Sequence, residues 1–141
     1  LHPANTLSLH DALPISALTF VTSPDTGNLE QDLIVHLRSL WNWWRSSSAG
    51  ETLRSFFIEI QLDSNAIAEF RAEFLPRRER TLRKIFARAI STGEIVDGPA
   101  VEVAVSMLTG MSWLHLITAN LDNLDDIDNS VALLVKGLRV S

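Results

Sequence analysis

The sequence predicts an all-α fold, an antiparallel bundle of about five helices. Two observations carry the prediction. From residue 28 onward, apolar residues recur at helical spacing in five successive stretches. Between them lie capping and helix-breaking residues: SSSAG at 46–50, Asp63–Asn65, Thr92–Gly93 with Gly98–Pro99, and the polar run from Asn120. No stretch alternates as a strand would, and there is no internal repeat and no sustained heptad. A chain of 141 residues suits one domain. A domain of that size buries roughly 70% of its unfolded surface, enough for one real core.

The first helix is expected over about 28–46. Leu29, Leu33, Leu37, Leu40, Trp41 and Trp44 share a face, Asn28 is placed to cap, and Glu30 and Asp32 suit the positive first turn. Trp41 and Trp44 point inward. Trp43 lies about 100–200° away from each of them and stays unassigned. The second helix, about 50–62, turns Leu53, Phe56, Phe57 and Ile60 to one side. The third, about 65–92, carries Ile67, Phe70 and Phe74, then Leu82, Ile85, Phe86, Ala89 and Ile90. Pro76 stands between the two halves, lacks an amide donor, and should kink or interrupt the helix. Gly93 ends it. The fourth starts at Gly98–Pro99 and runs to about 120, apolar almost all round. The fifth, about 125–138, opens on Asp125, Asp126 and Asp128 and carries Ile127, Val131, Leu134, Val135 and Leu138.

Residues 1–23 do not fit this pattern. Leu1–Ser16 has no sustained period and lacks the basic start and long apolar run of a secretory signal. NTLSLHDALPIS resembles a peptide made when sequencing-adapter DNA is translated, so Leu1–Ser16 is expected to be a non-native segment standing in for the real N-terminus, or a disordered tail. Residues 17–28 read as an extended linker with a turn at Asp25–Gly27. The folded domain is expected over 24–141.

Composition narrows the function. There is no cysteine, which excludes disulfides and thiolate metal sites and suits a reducing cytoplasm. A net charge of −5 argues against direct DNA binding by the chain itself. The uncharged stretch Val103–Leu121 approaches the length of a membrane span. It contains Ser106, Thr109, Ser112, His115, Thr118 and Asn120, however, and is better read as a helix buried on two sides, by its own domain and by a partner. No membrane association is expected.

Reaction chemistry is not visible. The sequence has no HExxH, GxSxG, GxGxxG or P-loop motif, and neither an enzyme nor a cofactor is expected. NLDNLDDIDNS at 120–130 lacks the calcium-loop pattern and reads as a loop with a helix cap, so no metal site is expected. Seven of the twelve Lys and Arg residues fall in 71–88, interspersed with Glu73 and Glu79. They read as a solvated helix face, although one arginine could reach a ligand carboxylate. His115 reads as a hydrogen-bonded core or interface histidine. Phe56, Phe57, Ile60, Phe74, Phe86, Met107, Met111 and the tryptophans make a core rich in large planar and flexible groups, which suits either a cavity for a mostly apolar small molecule or an ordinary packed core.

PDTGNLEQDL (24–33), AIAEFRAEFLPRRERTLRKIFARAISTGEI (66–95), LTGMSW (108–113) and LDDIDNSVALLVKGL (124–138) together resemble the C-terminal domain of TetR-like bacterial transcriptional regulators. The resemblance implies a helical domain that binds a small-molecule effector and forms a homodimer, its last two helices making a four-helix interface with their copies. Operator DNA would be bound only through an N-terminal helix-turn-helix domain. No such pattern occurs in residues 1–23, so this chain should not repress alone. On this basis Val101, Val105, Leu108, Ser112 and His115 are expected at the dimer surface, with Ile127, Val131, Leu134 and Leu138 from the last helix. Trp44, Phe56, Phe57, Ile60, Phe74, Met107 and Met111 are the expected effector site. A stand-alone helical interaction module without a cavity is the alternative.

Overall fold

The structure is a computed structural model and describes residues 24–139, so the expectations for residues 1–23 lie outside the described residues. The first helix, α1 (Leu29–Ser46), begins on Asn28, whose side chain accepts from the Gln31 amide at 2.9 Å. The residues just before it are fastened twice. The Thr26 amide and hydroxyl both donate to one oxygen of buried Asp32, at 3.0 and 2.7 Å. The Leu29 amide donates to Glu94, 65 residues away, at 3.0 and 3.2 Å. Gly27 sits at φ +84°, where a side chain would be strained. The DTG and GEI segments thus form one joint at the start of α1.

α2 (Ala49–Ile60) follows a tight break. A β-carbon on Gly50 would stand 2.4 Å from the Trp44 carbonyl oxygen, so only glycine allows the two helices to meet there. The stretch expected as a single kinked helix is divided. α3 (Ser64–Glu69), capped by Asp63, runs into a π-helical turn at Phe70–Phe74, then the short α4 (Leu75–Arg78) and α5 (Arg80–Ser91). The Leu75 amide reaches back to the Phe70 carbonyl. Pro76 has no amide to offer, and the helix answers with a wider turn just before it. Gly93, at φ +80°, ends α5. α6 (Pro99–Ile117) and α7 (Asp125–Leu138) complete the bundle. Among the described residues there is no strand, only one isolated bridge between Ile95 and Arg139.

α1 is the central helix and touches α2, α5, α6 and α7. Its Leu29, Leu33, Leu37, Trp41 and Trp44 pack with Ile85 and Phe86 of α5, Val105 and Leu108 of α6, and Ile127 and Val131 of α7. Each fully buried side chain of this kind contributes roughly 1.5–3 kcal/mol. Trp41 is core, and its indole N–H donates to Ser112 at 3.0 Å. α6 is the one described helix long and apolar enough to cross a membrane, but one of its faces lies in this core.

Candidate functional site

Six aromatic rings gather where α1, α2, the π-helical turn and α6 converge. Phe70 touches Phe74 at 5.1 Å, Trp113 at 5.8 Å and Phe57 at 6.0 Å between centroids. Phe57 lies 5.1 Å from Trp113, Phe56 6.2 Å from Phe74, and Trp44 5.9 Å from Trp113. The π-helical turn matters here because it carries Phe70 and Phe74, four apart, into the same ring assembly. Of the predicted effector residues, Trp44, Phe56, Phe57 and Phe74 are brought together. Ile60 is buried at the end of α2, outside the main core cluster.

Beside the rings is a small, partly open pocket of about 30 Å³, lined by Trp44, Trp113, His36, Arg78, Glu79 and Thr109, among others. It has room for about one or two water molecules. The buried Glu79 carboxylate accepts from the Thr109 hydroxyl at 2.9 Å and from Arg83 at 3.2 Å, and Arg83 also holds Glu102 at 2.7 Å. The Arg78 guanidinium lies over the Trp43 ring at 5.6 Å and the Phe74 ring at 5.9 Å. Burial pushes it down to about 10, still charged at neutral pH. Trp43 thus has a place at the edge of the site, under a cation. The Trp44 indole nitrogen is buried with no hydrogen-bond acceptor among the described residues. Phe70, Trp113, His36, Arg78, Glu79 and Thr109 were not among the predicted site residues.

On the other side of Trp44 a surface cleft of about 290 Å³ opens between the end of α1, the start of α2 and the end of α6, with Arg45, Gly50, Arg54 and Leu116 in its walls. Trp44 is common to the small pocket and the cleft.

Seven of the nine predicted dimer residues are buried inside the single chain. Val101, Val105, Leu108, Ser112 and His115 of α6, and Ile127 and Val131 of α7, are buried within this single chain, against α1 and each other. Ser112 serves Trp41. His115 packs on the Trp41 ring at 4.6 Å, with Nδ1 2.9 Å from the Met111 carbonyl and Nε2 2.8 Å from an Asp126 carboxylate oxygen. These residues face the chain's own core because each polar group finds its partner there. The open face is the one beside it. Val103 is 56% exposed, Met107 57% and Leu133 72%, and Leu114 and Ile117 are also exposed. An apolar groove of about 510 Å³ runs between α6 and α7, lined by Val103, Met107, Met111, Leu133, Leu134 and Leu138 among others. Leu134 and Leu138 therefore remain at an accessible surface. Met107 and Met111 both line this groove; Met107 is exposed there, whereas Met111, at the flank of the core face of α6, is half-buried against the core.

A family model described as "Tetracyclin repressor-like, C-terminal domain" matches residues 23–131. An uncharacterized HTH-type transcriptional regulator, YdeS of Bacillus subtilis (strain 168), is 25% identical over 107 residues, covering 76% of this chain and 52% of that protein. The chain thus spans about half the length of the curated relative it matches. No solved structure matches. With the family model covering most of the chain on an all-helical bundle, the protein belongs to the tetracyclin repressor-like C-terminal domain family.

Proposed function

We propose that this chain is the effector-sensing and dimerisation domain of a DNA-binding transcriptional regulator. The single observation that carries the reading is the apolar outer face of α6 and α7. Val103, Met107, Gly110, Leu114 and Ile117 follow one another at alternating spacings of four and three along α6, the period of a helix seam. Gly110 sits mid-helix with nothing within 4 Å of where its β-carbon would be, so the fold of the single chain does not require a glycine there. Glycine costs about 1 kcal/mol in a helix interior, and a second helix approaching closely at that point accounts for it. A second copy supplies such a helix, and an isologous pairing of α6 and α7 covers the groove.

The aromatic assembly and its small pocket are the proposed effector site. An effector acts only by favouring one arrangement of the domain over another. α1 joins this site, at Trp44, to the Thr26–Asp32–Glu94 joint at its other end, so a shift of α1 would be passed to whatever precedes the domain. Operator DNA would be contacted by a helix-turn-helix domain outside this chain, in the cytoplasm. A second reading, a helical interaction module without a ligand, is favoured by the small volume of the pocket. Titrating tryptophan fluorescence with planar aromatic compounds separates them: a saturable change supports the sensor, and its absence across the series supports the module.

A further inference from the structure

We infer that the effector of this site is an uncharged aromatic carbonyl compound, its ring in the cleft beside Trp44 and its oxygen accepting the Trp44 indole N–H. This rests on the sensor reading above and specifies the ligand class. The chain treats its two inward tryptophans differently. Trp41 is fully buried, and its indole N–H donates to Ser112 at 3.0 Å. Trp44, on the next turn of α1, is only 3% exposed, yet its indole N–H meets no acceptor among the described residues. Buried indole N–H groups are ordinarily paired, and an unpaired one is destabilising. An indole offers a donor and nothing else, so what completes it is an acceptor atom. Ser47, which lines the same cleft, is already engaged: its hydroxyl donates to the Trp43 carbonyl at 2.6 Å and accepts the Ala49 amide at 3.2 Å. The charges around the site balance. Arg45 and Arg54 line the cleft together with Glu51 and Asp122, and Arg78 lines the small pocket together with Glu79. Neither space has an excess of one sign to select an ion, and an ion beside a buried indole would lose hydration. A carbonyl oxygen supplies the acceptor without the charge. An aromatic ring suits the walls, which include the Trp44 ring, Leu116 and Leu121. At about 290 Å³ the cleft is close to the lower end of small-molecule pockets.

The test is titration of the full chain with three probes matched in shape: 2-acetonaphthone, its hydrocarbon isostere 2-isopropenylnaphthalene, and 2-naphthoate. Binding is followed through the four tryptophan indole N–H signals in nuclear magnetic resonance, with Trp44 assigned by its loss in Trp44→Phe. The ketone is expected to move the Trp44 signal downfield and to bind about tenfold tighter than the hydrocarbon, the scale of one hydrogen bond to a donor otherwise unpaired. In Trp44→Phe, checked for folding by circular dichroism, the two should bind within about twofold of each other, since the ring remains and the donor is gone. A hydrocarbon as tight as the ketone overturns the carbonyl class and leaves the sensor reading standing, and so does naphthoate tighter than both. A Trp44 signal that the bound ketone leaves unmoved, or a preference for ketone that persists in folded Trp44→Phe, overturns the role of Trp44. No binding of any probe counts against the sensor reading itself and takes this inference with it. Should Trp44→Phe not fold, the order of the three probes on the unaltered chain still decides.

Discussion

Asp32 shows how one side chain turns a loop into a joint. It receives the amide and hydroxyl of Thr26 on one oxygen while almost fully buried, in the helix whose first amide is held by Glu94. Asp32→Ala leaves two donors without their acceptor. Hydrogen bonds to a charged group contribute about 1.5–3 kcal/mol, so thermal unfolding should show a melting temperature lower by roughly 5–10 °C. Gly50 is a second such position, for a steric reason. Gly50→Ala forces its new carbon onto the Trp44 carbonyl oxygen, at a cost of about 1–3 kcal/mol of overpacking. Because the strain falls on Trp44, the variant should change tryptophan emission as well as stability, whereas Gly27→Ala, with open space around it, should lower stability without moving the emission.

The helices themselves were legible in the sequence, because periodicity and caps act locally. Asn28, Asp63, Gly93 and Pro99 stand where they were expected to start or end helices. Pro76 announced an interruption, but not its form as a π-helical turn. Which face of α6 meets the core was not legible. A helix apolar all round gives no direction by periodicity, and the clues that orient it, Ser112 on Trp41 and His115 on Asp126, depend on partners 71 and 11 residues away. The same loss of direction hid Trp113, and it hid that Met107 and Met111 line the groove between α6 and α7. Phe70 was on the recognised stripe with Phe74, and the π-helical turn brings both to the site. The core also ranks the forces holding α7 on α1. Ile127, fully buried, should cost about 2–5 kcal/mol on conversion to alanine. Arg38 pairs with Asp128 at 2.6 Å with both side chains about 40% exposed, and Arg38→Ala should cost under about 1 kcal/mol. Chemical denaturation of the two variants checks the order, and a larger loss for Arg38→Ala would contradict it.

At the scale of the whole molecule, one face of α6 is enclosed by α1 and the other is exposed. Val103, Met107 and Leu133 are exposed along one groove between two helices, and Leu114 is exposed further along α6. Exposed apolar patches of this kind mark association sites, and the proposed partner for this one is a twin subunit. Met107 lies in the groove and makes no part of the buried core, so Met107→Asp should leave the monomer fold intact while placing a charge where apolar surfaces must meet. The most direct measurement is sedimentation equilibrium of the chain and of Met107→Asp at micromolar concentration. The account predicts a dimer for the unaltered chain and a folded monomer for the variant. A monomer in the first case, or a dimer undisturbed in the second, would contradict it.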